Sequence, residues 1–205
     1  MLVRPARFRA GSVRIGSGAG GPAGQLWAAP PPDDGHPGIA ADAFKQGMRH
    51  LAAAVTLVST LRDDGTPAGL LATAVCSVSV TPPTLLACIN RTARSHAAIE
   101  TSGYFCVNVL ERSQDDAARS FLAADVAERF KLFRWTSLET GAPAIEGALV
   151  AFDCKVIQAI PAETHTILIG RVVASRVAAA GEPLLYYRGG YAGLLSGARP
   201  PGSRG

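Results

Sequence analysis

Leu70–His96 reads LLATAVCSVSVTPPTLLACINRTARSH. It runs from small and hydroxyl-bearing residues into an alternating strand, through the Pro82-Pro83 turn into a second apolar strand, and ends in a polar, basic loop. Thr73, Ala74, Ser77 and Ser79 leave the backbone uncrowded, so a flat ligand can lie against main-chain N–H groups with hydroxyls at its edge. Asn90, Arg91, Arg94, Ser95 and His96 follow the second strand and bring donors and positive charge that suit a phosphate. A planar, phosphorylated cofactor uses both halves of the stretch.

Working outward, Asp42 is expected to cap a short helix with Phe44, Met48 and Leu51 on one face. Strands are expected at Val55–Leu61, from Ala68, and at Val75–Val80, Leu85–Ile89, Tyr104–Leu110, Leu149–Ile160, Thr166–Val177 and Leu184–Tyr187. Asp63-Asp64-Gly65-Thr66-Pro67 reads as a hairpin turn. Helices are expected at Arg94–Ser102, at Ser113–Ala123 with Ser113 as cap, and near Asp125–Phe133. Short strands joined by hairpins, with a few helices between them, specify a mainly β protein closed into an antiparallel barrel with flanking helices. The early GSGAGG neither follows a strand nor opens a helix, and βαβ alternation is missing, so a Rossmann sheet is excluded.

Residues 1 to 40 are rich in Gly, Ala and Pro and bury too little apolar surface to offset their ordering entropy, so a disordered tail, or a start codon assigned too early, is expected there. A second tail is expected over 196–205, leaving one folded domain over 41–195. The tails hold Arg4, Arg7, Arg9, Arg14, Arg199 and Arg204 against Asp33 and Asp34, which accounts for the whole net charge of +4. The body is therefore neutral, which argues against a nucleic-acid footprint. No apolar run approaches the roughly 20 residues of a membrane helix. The 4 cysteines, Cys76, Cys88, Cys106 and Cys154, lack metal-site spacing and sit in strand-like runs. Buried reduced thiols, no metal site and a cytoplasmic protein are expected.

Thr73 to Ser79 (Thr-Ala-x-x-Ser-Val-Ser), Pro82-Pro83, Cys88-Ile89-Asn90 and Ser95-His96 resemble the short-chain flavin reductases, the reductase partners of two-component flavin monooxygenases. The resemblance continues through Gly103–Leu110, Arg129-Phe130, Trp135 with Gly141 and Pro143, His165 with Ile167 and Gly170, and Pro183–Tyr187 with Tyr191. It implies an FMN-binding split barrel and a homodimer. The implied activity is NAD(P)H:flavin oxidoreduction, with FMN or FAD as cofactor, NADH or NADPH as co-substrate, and reduced flavin passed to a partner monooxygenase. It places Val55, Thr56, Thr73, Ala74, Cys76, Ser77 and Ser79 in a flavin cradle and Asn90, Arg91, Ser95 and His96 on the phosphate and ribityl chain. Arg129 and Phe130 then approach the flavin and His165 the nicotinamide. The family pattern Gly-Asp-His stands here as Glu163-Thr164-His165, which leaves room for a second reading, a flavin-binding electron carrier without reductase activity. On the residues alone, Ser and Thr alternating with apolar residues also fit one solvated strand face, and Ser95 also fits a helix cap.

Overall fold

The computed structural model describes residues 38–194. The expected tails lie outside these residues, except for positions 38 to 40. In chain order the elements begin with α1 (Ala41–Met48), β1 (Ala53–Ala54), β2 (Thr56–Leu61), β3 (Pro67–Ala72), β4 (Val75–Val80), β5 (Pro83–Asn90), α2 (His96–Ser102) and β6 (Tyr104–Val109). A 3-10 turn at Arg112–Gln114 leads into α3 (Asp115–Ala123), and a second one at Arg129–Leu132 precedes β7 (Trp135–Ser137) and β8 (Pro143–Ile145). The chain then forms β9 (Val150–Ala162), β10 (His165–Val177), β11 (Leu185–Tyr187) and β12 (Gly190–Ala192).

Seven strands form one antiparallel sheet in the order β3-β2-β6-β9-β10-β5-β4. Its two edge strands, β3 and β4, are consecutive in the chain and joined only by Thr73 and Ala74. Three Cα steps of about 3.8 Å hold Ala72 within about 11 Å of Val75. A flat sheet with strands about 4.8 Å apart would separate its edges by roughly 29 Å. The sheet therefore curls until its edges meet at the Thr73–Ala74 link. β3 and β4 share no ladder, so the barrel is split along this seam.

Val58, Ile89, Phe105, Val107 and Leu168 fill the interior. Gly170 lets β10 pass over Phe105, since a Cβ there would lie 2.6 Å from the Phe105 ring. Leu57, Phe121, Phe130, Ile145 and Leu184 form a second core beneath α3. Asn108, fully buried, ties the β8 segment to the sheet. Its amide nitrogen donates to the Leu57 carbonyl at 3.0 Å, the Ser59 hydroxyl at 3.0 Å and the Pro143 carbonyl at 3.2 Å, and its oxygen accepts the Ile145 N–H at 2.8 Å. The expected hairpin turn is closed by Asp64, whose carboxylate accepts the Thr66 N–H at 2.8 Å.

Several local expectations are corrected. Helix α1 starts one residue before Asp42, which lies in its first turn rather than at its cap, and the whole helix is exposed, Phe44 and Met48 included. Ser113 is not the cap of the helix after β6. Glu111 accepts the Ser113 N–H while Gln114 reaches back to the Glu111 N–H, a reciprocal pair that fixes the 3-10 turn before α3. The helix expected near Asp125–Phe133 shrinks to the 3-10 turn, after which Phe133 is extended, and Phe130 and Phe133 both pack on Phe121. All four cysteines are free, but only Cys106 and Cys154 are buried; Cys88 is half-buried and Cys76 exposed. Cys76 lies on β4, an edge strand paired on one side only. Burial drives the Cys106 thiol pKa upward and pushes that of Cys154 up to about 12.

Candidate active site

The seam of the split barrel opens into a cleft of about 380 Å3. The Thr73–Ala74 link and Val55 form its base, Cys88 and Asn90 of β5 and His165 of β10 one side, and Tyr186 and Tyr191 another. The link is held from both sides. The Thr56 hydroxyl donates to the Ala72 carbonyl at 2.7 Å, and the Cys88 N–H donates to the Ala74 carbonyl at 2.9 Å. Asn90 and His165 stand opposite each other in the β5–β10 ladder. The Asn90 side-chain oxygen accepts both the Thr92 N–H at 2.9 Å and the Thr92 hydroxyl at 2.8 Å, so the NH2 group is the part left for a ligand. His165 Nδ1 meets the Thr164 hydroxyl at 2.9 Å, which orients the ring and leaves Nε2 for a second partner.

Glu163 takes φ 50°, the left-handed conformation that a glycine adopts freely. Glu163 therefore holds this turn at some backbone strain. Thr164 supplies the bond to the imidazole that an aspartate could make.

On the other side of Leu70 lies a small pocket of about 70 Å3, whose walls include Gly69, Arg94, Ser95, Arg129 and Phe130. Ser95 is 3% exposed. Its hydroxyl makes no capping bond to α2 and has no hydrogen-bond partner among the described residues. A buried hydroxyl left without a partner is costly, and Ser95 borders a pocket whose lining includes Arg94 and Arg129, residues that could hold an anion. The Arg129 Nε donates to the Ala124 carbonyl at 3.2 Å, and the guanidinium lies 5.2 Å from the Phe121 ring centre. These contacts leave terminal nitrogens for an anion. Phe130 is a wall; Gly69 admits it, since a Cβ there would lie 2.9 Å from the Phe130 ring.

The structure distributes the remaining sequence-derived residues elsewhere. The ring nitrogens of His96, which is 9% exposed, meet the Thr166 hydroxyl at 2.7 Å and the Glu100 carboxylate at 3.4 Å. His96 therefore fastens α2 to β10 beside His165. Arg91 lies with His96 on an open surface and gives its N–H to the Thr164 carbonyl at 3.0 Å. Cys76, Ser77 and Ser79 line a separate apolar groove with Val80, Val107 and Phe152. The single hydroxyl-rich cradle read from the sequence is thus divided at Ala74, where the chain turns from one sheet edge to the other. Sequence reasoning missed Leu70, Leu122, Tyr186 and Tyr191 as lining residues. The tyrosines were visible only as the end of the family resemblance, because nothing local shows that β11 and β12 fold back over the seam. Burial, opposed by nearby Arg119, raises the Tyr191 pKa, so its hydroxyl stays a donor.

Residues 48–195 match the model of the flavin reductase like domain. The chain belongs to this family. A Rhizobium rhizogenes relative named FMN reductase (NADH) RutF 2 is 45% identical over 145 residues, covering 70% of this chain and 83% of that protein. Nitrilotriacetate monooxygenase component B from Mycobacterium thermoresistibile superposes on the flavin reductase-like chain with a TM-score of 0.73 at 28% identity, over 80% of this chain and 91% of that one. The NADH:FAD oxidoreductase SgcE6 of Streptomyces globisporus, solved with NAD and FAD fragments, gives 0.70 at 29% identity, over 76% and 93%. A mainly β antiparallel split barrel with flanking helices is therefore the family fold, as expected. No helix among the described residues is long and apolar enough to cross a membrane.

Proposed function

We propose that this protein is an NADH:flavin oxidoreductase that takes FMN and passes reduced flavin to a partner monooxygenase. The observation that carries the assignment is the partnerless Ser95 hydroxyl, buried in an arginine-flanked pocket one residue's width from a cleft large enough for a ring. Bound flavin would supply the hydride-accepting ring. The Thr73–Ala74 link and Val55 would support that ring, and the Asn90 amide would donate to its polar edge. Ser95 with Arg94 and Arg129 would hold the phosphate. His165, held by Thr164, would donate to the nicotinamide carboxamide and fix it at reactive distance over the ring. The FMN and NADH choices follow the printed names of the RutF relatives, and the oxygenase partner follows nitrilotriacetate monooxygenase component B.

The homodimer belongs to the same reading. It is supported by the apolar groove beside β4 and by Val80 and Val177, which are 86% and 70% exposed, too much apolar surface to leave in water without reason. A cytoplasmic location agrees with four free thiols.

Anaerobic stopped-flow mixing of FMN-loaded protein with NADH tests the reading. Flavin absorbance should bleach rapidly. His165→Ala should slow bleaching about tenfold while FMN affinity changes less than about twofold, because one hydrogen bond to the second substrate is lost. No bleaching by NADH or NADPH in the wild type would leave a flavin carrier instead of a reductase. Equal rates in wild type and variant would remove His165 from the site.

A further inference from the structure

A second cleft, of about 360 Å3, adjoins the first and shares the Thr73–Ala74 link and Tyr186 with it. Its outer wall is the end of α1 with the capping residue that follows it, which together present Lys45, Met48 and Arg49. Lys45 and Arg49 are four residues apart and so project from one side of the helical turn. Arg49 has no acidic partner among the described residues. Lys45 has only a 3.5 Å contact to Asp42, with both side chains exposed, a pair that solvent largely screens. Met48 and Tyr186, at 47% and 37% exposure, add an adaptable thioether and a flat ring. Two neighbouring cations beside an apolar, partly aromatic wall suit a diphosphate joined to a planar base.

The flavin reading, on which this inference rests, sends the FMN phosphate past Leu70 to Ser95, away from α1. FMN then has no atoms left for the α1 cleft, whereas the co-substrate entering at His165 carries an adenosine diphosphate that must lie somewhere. The chain lacks a Rossmann turn to hold it. We propose that the α1 cleft binds the adenosine diphosphate half of NADH, with Lys45 and Arg49 on the diphosphate and Met48 with Tyr186 against the adenine. The cleft therefore sets the affinity for the dinucleotide and leaves the hydride step to the neighbouring site.

The test compares the double variant Lys45→Gln/Arg49→Gln with wild type on NADH and on reduced nicotinamide mononucleotide, which lacks the adenylate. The KM for NADH should rise about tenfold, from the loss of two exposed charge-assisted contacts, with a much smaller change in kcat. The KM for the mononucleotide should rise less than about threefold, and FMN affinity should hold. The wild-type KM for NADH should climb with salt more steeply than the variant's. An unchanged KM for NADH, or equal rises for both substrates, overturns the assignment. Loss of FAD affinity with NADH unaffected overturns it too, by giving the cleft to the adenylate of the flavin. Calorimetric titration of ADP into the FMN-loaded protein needs no turnover, so it separates this inference from the reductase reading. Saturable ADP binding that weakens about tenfold in the variant supports the cleft even if NADH is not oxidised, and no saturation in the wild type overturns it.

Discussion

Replacing Ser95 with alanine should move two measurements in opposite directions. In the protein without flavin, Ser95 is 3% exposed and its hydroxyl is unpaired, so the folded state bears a desolvation cost that the unfolded chain escapes. Mutational data put that cost at about 1 to 3 kcal/mol, and a pocket of about 70 Å3 admits enough solvent to favour the low end. Ser95→Ala should therefore leave the flavin-free protein as stable as wild type or up to about 1 kcal/mol more stable. With FMN the sign reverses. The variant loses a hydrogen bond to a charged oxygen worth about 1.5 to 3 kcal/mol, which raises Kd about tenfold to a hundredfold. Urea denaturation of the flavin-free protein gives the first quantity, and quenching of FMN fluorescence on titration gives the second. A serine that served only as a helix cap would lower stability by about 1 kcal/mol when removed and leave FMN affinity alone. That pair of results would refute the phosphate assignment.

Asn108→Ala should cost about 2 to 3 kcal/mol in urea denaturation, because the buried hydrogen bonds that end at this side chain are lost and the Ile145 N–H loses its Asn108 acceptor, while Ser59 and Pro143 keep the bond between them. Gly170→Ala should destabilise by about 1 to 3 kcal/mol, since the new Cβ would meet the Phe105 ring at 2.6 Å and Cys154 Cβ at 3.0 Å; a neutral substitution in thermal melts would contradict the close approach. Stability should fall above pH 9, because the Cys106 and Cys154 thiols have folded pKa values above their ordinary 9.0 and the unfolded chain loses its protons first. Each thiol steepens the fall by up to about 1.4 kcal/mol per pH unit between the two values, a slope that Cys106→Ala/Cys154→Ala should reduce. At pH 8 an exposed-thiol reagent should label Cys76 rapidly in the native protein and leave Cys106 and Cys154 until unfolding.

The long strands were legible because each carries a strong local signal. β9 and β10 run over 13 residues each and are rich in apolar and β-branched residues, and the Asp64-Gly65 turn supplies its own hydrogen bonds and a positive φ. Strands of three residues, such as β7, β8 and β12, are too short to alternate, and their pairing is set by distant residues such as Asn108. Thr73, Ala74, Asn90 and His165, widely spaced in the sequence, line one cleft, while Ser95, read with Asn90 as a phosphate contact, lines the adjoining pocket. His96 was the hardest to place. A histidine after a basic loop looks like an anion ligand, and only the structure shows both ring nitrogens engaged by Thr166 and Glu100. The role of α1 was hidden for the opposite reason, since its apolar residues predict a packed face and every one of them is exposed.

A cut in the two-residue link between the edge strands would spare every ladder of the main sheet and sever the one covalent tie across its seam. A circular permutant opened between Thr73 and Ala74, with its old termini joined by a flexible linker, keeps all seven strands and their partners. Its barrel should fold, yet its seam would be free to part, and with it the base of the cleft. Flavin affinity in such a permutant becomes a strain gauge for the seam. It would measure how much of the binding comes from the covalent tie between the edges and how much from Thr56 and Cys88, which grip the two halves of that tie separately.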